Sequence, residues 1–310
     1  MVAVIRAAAA LERVADSAGV AVAGAVVAAV AARAFALAAW AAASLAQAQD
    51  AGIWEKRLES DARRESFTMT TERSNYFLVT HMSAPNQAPY ELAGANEQLN
   101  NQEVKFQLSL KAKMGDDLFG GNGDLWFSYT QVSWWQIFNG AISAPFRETN
   151  YEPGVYFSFL TNLSWAGFRL RTVNAGFVHQ SNGRAQPLSR SWNRVFADLQ
   201  VVRGYFVLGF KPWLRIKETP ATDDNPDLTD YVGNYELRAS YWWKNQVFSV
   251  MARNLLDGQH RYNAELDWSF PIKGKMRGLV QWYKGYGESL IDYNYNMNRI
   301  GLGVLLTDWL

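Results

Sequence analysis

From residue 74 onward the chain alternates between apolar and polar positions. Tyr262, Ala264, Leu266, Trp268 and Phe270 fall on one face of an extended segment, with Arg261, Asn263, Glu265, Asp267 and Ser269 on the other. Ile300, Leu302, Val304 and Leu306 alternate likewise with Arg299, Gly301, Gly303 and Thr307. Phe206, Leu208, Phe210 and Leu214 do so with Val207, Gly209, Lys211 and Arg215. Successive strand residues point to opposite faces, so a period of two predicts strands with one apolar and one polar side. The pattern predicts strands over 74–82, 103–114, 125–136, 154–165, 167–181, 190–202, 205–216, 234–244, 246–254, 261–272, 274–287 and 298–310. Connections at Ala166, Arg203-Gly204, Asn245 and Lys273 are minimal, whereas those over 83–102, 137–153, 182–189, 217–233, 255–260 and 288–297 are long; the 115–124 turn is longer than the alternation expects. Two-faced strands of about ten residues, even in number and joined by alternating short and long turns, predict an all-β, twelve-stranded antiparallel outer-membrane β-barrel.

A soluble β-sandwich would alternate in the same way, so the rest of the sequence has to decide. Residues 1–48 carry Arg6, Arg13 and Arg33, then the apolar run Ala34–Leu45, then Ala46-Gln47-Ala48. That order describes a cleaved signal peptide; Arg33 leaves too short an apolar run for a membrane anchor. The 310 residues contain no cysteine, while 13 Trp and 14 Tyr suit the aromatic girdles of a membrane barrel. The expected organisation is a signal peptide over 1–48, a periplasmic segment over 49–73 and the barrel over 74–310, in the outer membrane of a Gram-negative cell. A net charge of +1 offers no basic face for nucleic acid. With no thiol and three histidines, candidates for nucleophile and general base are few.

One hairpin stands out. Val173, Ala175, Phe177, His179 and Ser181 share the apolar face of the fifth strand, and Asn193, Val195, Ala197, Leu199 and Val201 that of the sixth. Three polar side chains thus end two lipid-facing rows, where unpartnered polar groups are costly. His179 is placed to take the proton of Ser181, and Asn193 to hold the other imidazole nitrogen. Gly183 offers an unhindered N–H for an oxyanion. Gln131 projects from the apolar row of Leu125, Phe127 and Tyr129, where pairing with a second copy would relieve its burial. His81 and His260 read as ordinary residues of the barrel rim, and the Asp223-Asp-Asn-Pro226 run as a loop with solvated or lumenal carboxylates.

The runs His179-Gln-Ser-Asn-Gly-Arg184 and Pro187-Leu-Ser-Arg-Ser-Trp-Asn-Arg194 resemble the signature of the outer membrane phospholipase A family. Ser128–Gln136, Pro145–Pro153, Asp223–Asp227 and Gly285–Tyr295 extend the resemblance over most of the chain from Tyr76 onward. The resemblance implies a calcium-dependent, dimeric barrel that hydrolyses acyl esters of phospholipids and lysophospholipids. His179 resembles its general base, Ser181 its nucleophile and Asn193 the residue orienting the histidine. It further implies Ca2+ held by the Arg184 carbonyl, Ser189 and the partner subunit's Ser143, with Gln131 in the homodimer interface. Gln186 stands where some members carry an acidic residue, which lowers the expected calcium affinity. The rival expectation is a passive barrel, either a catalytically inactive relative or a small porin.

Overall fold

The computed structural model describes residues 57, 60, 61, 63–94 and 98–307. The expected signal peptide over 1–48 and the last three residues lie outside the described residues. Twelve strands follow in order: β1 Asn75–Met82, β2 Gln102–Gly115, β3 Asp124–Trp135, β4 Phe146–Trp165, β5 Phe168–Ser181 and β6 Ser191–Arg203. The second half comprises β7 Phe206–Ile216, β8 Tyr235–Trp243, β9 Gln246–Arg253, β10 Asn263–Lys273, β11 Met276–Gly285 and β12 Met297–Thr307. Each pairs antiparallel with its neighbour in sequence, and β12 pairs with β1 from Arg299↔Met82 to Leu305↔Tyr76, which closes the barrel. Closure satisfies every strand edge, the condition for a sheet to stand in lipid. Two one-turn helices, α1 Ala88–Leu92 and α2 Leu228–Val232, lie in the long connections. Among the described residues no helix is long and apolar enough to cross a membrane.

The alternation sets inside and outside as expected. Phe177, Val195, Leu214, Leu266, Ile300 and Leu302 are exposed on the outer wall. Glu103, Lys105, Arg147, Asp292 and Arg299 are buried within. There the two carboxylate oxygens of Glu103 accept Arg147 Nε and Nη2 at 2.9 and 3.0 Å, Arg299 Nη1 at 2.6 Å and Gln136 Nε2 at 2.9 Å. Arg147 Nη1 also reaches Asp292 at 2.6 Å, and Lys105 Nζ reaches Glu288 at 3.2 Å. Charges removed from water are tolerable only when paired and hydrogen-bonded in this way. The lumen at this level is filled by linked side chains. At the end opposite the long loops, Met69–Thr70 pairs with Ala112 and Lys111 of β2. Arg73 reaches up the lumen to Glu152 at 2.6 Å, so the last part of the 49–73 segment packs inside the barrel.

Among the described residues one strand boundary differs from the sequence expectation by more than two residues. β4 starts at Phe146, not 154, and its first half carries Arg147, Glu148, Glu152 and Pro153. Charge and proline made these residues look like loop. In a barrel the charged face points into the lumen, and the register slips at Arg147 between Trp134↔Glu148 and Trp135↔Phe146. Pro153 pairs with Tyr129 of β3, whereas the β4–β5 register passes from Tyr151↔Ser181 to Gly154↔Val178. A proline has no N–H to give to that second ladder.

Candidate active site

β5 and β6 form a hairpin in which His179 lies opposite Asn193, Gln180 opposite Trp192 and Ser181 opposite Ser191. Register and pleat therefore place His179, Ser181 and Asn193 together on the outer wall, at the long-loop end of the apolar rows through Phe177 and Val195. His179 Nδ1 lies 2.9 Å from Asn193 Oδ1. An amide oxygen only accepts, so Nδ1 is the nitrogen that donates, the tautomer that in a neutral ring leaves the Nε2 lone pair free. Among the described residues Ser181 Oγ forms no hydrogen bond within the chain. Catalytic contacts of this kind commonly tighten only with substrate in place. Asn193 Nδ2 donates to Glu218 Oε1 at 3.2 Å. Behind the pair, on the lumenal face, Gln180 Oε1 accepts Trp192 Nε1 at 2.8 Å and Arg194 Nη1 at 3.2 Å, which stiffens the hairpin from within.

The loop after Ser181 is pinned by Asn182, which is buried. Its Oδ1 accepts the N–H groups of Arg184 and Arg190 at 3.3 and 3.0 Å, and its Nδ2 donates to the Leu188 carbonyl at 2.8 Å. Gly183 adopts φ +64°, and its N–H is in no hydrogen bond among the described residues. A Cβ there would meet the Tyr151 ring at 3.3 Å. The Arg184 guanidinium donates to the carbonyls of Phe146 and Arg147 at 3.2 and 2.6 Å, which fixes the backbone around its own carbonyl.

Hard oxygen donors gather beside this loop. Ser189 Oγ donates to Asp224 Oδ2 at 2.5 Å, and Gln186 Nε2 donates to the other oxygen of Asp224. A carbonyl at Arg184, a hydroxyl at Ser189 and a nearby carboxylate match the oxygen ligands and loose geometry that calcium accepts. Asp224 is partly exposed, as a loop carboxylate should be, but it is also held by the β5–β6 loop, onto which the 217–234 connection folds back. Its neighbour Asp223 pairs with Arg215 at 2.6 Å. Ser143 is exposed, at φ +62° just after a short 3-10 turn over Gly140–Ile142. Gln131 is on the outer wall but already has partners. It accepts Tyr129 Oη at 3.0 Å and donates to Ser133 Oγ at 3.1 Å, using one acceptor and one donor and leaving one of each. Burial alone therefore does not demand a second copy. His81 is exposed near the end of β1 and His260 lies in a loop, both away from the hairpin.

Sequence reasoning missed Asn182, Asp224 and Glu218. Asn182 adjoins the Gly183 already singled out but leaves no periodic signal of its own, and Asp224 and Glu218 reach the hairpin from a loop without periodicity. Comparisons with known proteins agree on one family. The phospholipase A1 family model matches residues 53–306. The phospholipase A1 of Klebsiella pneumoniae is 43% identical over 247 residues, spanning 78% of this chain and 83% of that protein. That of Escherichia coli K12 is 44% identical over 250 residues, spanning 78% and 82%. The solved Salmonella typhi outer membrane phospholipase dimer with bound calcium superposes with a TM-score of 0.76 at 41% identity, covering 82% of this chain and 98% of that one. An active-site mutant of the Escherichia coli outer membrane phospholipase A, with alanine in place of an asparagine, superposes at 0.75 with 39% identity over 82% and 98%. The protein is an outer-membrane β-barrel, and the chain belongs to the phospholipase A1 family.

Proposed function

We propose that this barrel is a calcium-dependent phospholipase that cuts acyl esters of phospholipids and lysophospholipids, with Ser181 as nucleophile, His179 as base and Asn193 as the orienting residue. The observation that carries the reading is the 2.9 Å contact between His179 Nδ1 and Asn193 Oδ1 on the lipid-facing wall, with Ser181 two residues along the same row. A soluble substrate would give no reason to place such a pair among Phe177 and Val195. The active-site asparagine of the Escherichia coli relative is consistent with it.

Ser181 Oγ attacks the ester carbonyl as His179 Nε2 takes its proton. Negative charge develops on the carbonyl oxygen, and the free Gly183 N–H is placed to donate to it. One such donor contributes roughly 10²–10³ in rate. The intermediate collapses as His179 protonates the departing alcohol of the lipid. Water then attacks the acyl-enzyme with His179 again as base, and releases fatty acid. The Arg184 carbonyl, Ser189 Oγ and the Ser143 hydroxyl of a second copy would hold Ca2+, whose positive charge would polarise the ester carbonyl. A site divided in this way makes the homodimer the active form and keeps monomers nearly silent. Gln131 supplies its remaining donor and acceptor to the interface. A cleaved leader over 1–48 and a periplasmic 49–73 segment complete the proposal.

The test is fatty-acid release from phospholipid micelles by the refolded protein, with calcium or with EDTA, beside Ser181→Ala. Calcium-dependent release that disappears in the variant supports nucleophile, cofactor and substrate class together. A folded, dimeric, calcium-loaded protein that releases nothing overturns the enzyme reading and leaves a passive barrel.

A further inference from the structure

The 217–234 connection brings a carboxylate to the back of the proposed triad. Asn193 pairs with Ile216, the last residue of β7. Leu214, Ile216 and Glu218 share one parity, and Leu214 and Ile216 are 72% and 43% exposed on the outer wall. Glu218 therefore continues a lipid-facing apolar column with a charge, at the point where the chain leaves the strand. The column lies beside the one that carries Asn193, and Glu218 Oε1 accepts Asn193 Nδ2 at 3.2 Å.

An asparagine that orients a histidine has a weakness that an aspartate lacks. Its two ends have nearly the same shape, but one accepts and the other donates. With Oδ1 toward His179, Nδ1 keeps the proton and Nε2 is free to serve as base. With the amide reversed, an N–H would face Nδ1, the ring proton would move to Nε2, and the base would be lost. His179 can adapt to either orientation by changing tautomer, so it cannot choose between them. An ionised carboxylate can, because it accepts from Nδ2 and repels Oδ1. We infer that Glu218 is a positioning residue that locks the Asn193 amide and, through it, the His179 tautomer that activates Ser181. The inference rests on the triad reading above.

Kinetics of the calcium-loaded dimer in detergent test it with Glu218→Ala, Glu218→Gln, Asn193→Ala and the Glu218→Ala/Asn193→Ala double variant. Heat-dependent migration on gels establishes that each barrel is folded. Glu218→Ala is expected to lower kcat by about tenfold, the lower end of what an orienting partner behind a reacting group is worth. KM and the half-activating calcium concentration are expected to stay within about twofold, because Glu218 acts through Asn193 and the ring it orients. Glu218→Gln restores most of kcat, since its amide oxygen still accepts from Nδ2. In the Asn193→Ala background, removing Glu218 changes kcat by less than about twofold, the signature of two groups acting through one contact. A kcat for Glu218→Ala within twofold of the parent overturns the inference. So does an equal loss in both backgrounds, or a failure of Glu218→Gln to recover. An Asn193→Ala variant with full activity would instead remove the triad reading.

Discussion

Ser189 Oγ donates to Asp224 Oδ2 at 2.5 Å, joining the β5–β6 loop to the connection that follows β7. Asp224 Oδ1 takes the Gln186 amide, so both of its oxygens are held by neutral donors from one loop. The arrangement gathers oxygen ligands but supplies a single full negative charge. Ca2+ affinity follows ligand charge, so Gln186→Asp should lower the half-activating calcium concentration, on the order of tenfold. In EDTA the same variant should be less stable than the parent, because two carboxylates then face each other. Calcium titration of hydrolysis, with urea unfolding in EDTA, checks both halves. An unchanged calcium midpoint would place residue 186 outside the reach of the cation.

Gly183 combines φ +64° with a free N–H and the Tyr151 ring at 3.3 Å from its hypothetical Cβ. A side chain there meets left-handed strain of about 1–2 kcal/mol and must also displace the ring or the loop. Gly183→Ala should therefore move the N–H away from the ester carbonyl and lower kcat more than it raises KM. The urea midpoint should fall slightly, by no more than that strain of about 1–2 kcal/mol and by less where the surface loop relaxes. Parent-like kcat in a folded variant would remove Gly183 from the oxyanion site.

Gln131 reaches the outer wall with two hydrogen-bonding positions already used by Tyr129 and Ser133. What it can give a partner copy is one N–H and one lone pair, in a setting where interhelical or interstrand polar contacts are worth about 0.6–2 kcal/mol. Gln131→Leu should weaken the calcium-induced dimer by at most roughly 30-fold and leave the monomer fold intact. Sedimentation in detergent at several protein concentrations measures this directly. A variant that dimerises like the parent would take Gln131 out of the interface.

Much of this architecture is legible in the chain because a membrane wall imposes a strict period of two. The outer row through Phe177, His179 and Ser181 is visible from spacing, and so is the row through Asn193 and Val195. Their register follows once both strands end at the same loop. The same rule hid the start of β4, where Arg147, Glu148 and Glu152 look like loop until the lumen is known to be charged. Asp224 and Glu218 were not legible as neighbours of the hairpin, because they arrive through a loop whose path no period encodes. A carbonyl ligand such as that of Arg184 leaves no side-chain signature at all.

The lumen and the outer site are mechanically connected through Arg147. Its guanidinium is held by Glu103 and Asp292, while its backbone carbonyl accepts Arg184 Nη2 at 2.6 Å and Tyr90 Oη at 2.9 Å. Glu103 is fully buried and shared between Arg147 and Arg299. Glu103→Gln preserves size and one acceptor and leaves Arg147 and Arg299 with one buried carboxylate each, Asp292 and Glu288, so its cost should stay below the roughly 3–5 kcal/mol of a buried pair that loses one partner outright. The urea midpoint should fall accordingly. Because Arg147 sits at the register slip of β4, loosening it should also release Arg184 and displace its carbonyl. The half-activating calcium concentration should then rise in a variant whose substitution lies inside the barrel, across the wall from the proposed cation site. A lowered urea midpoint with an unchanged calcium requirement would show that the lumenal network supports the barrel alone.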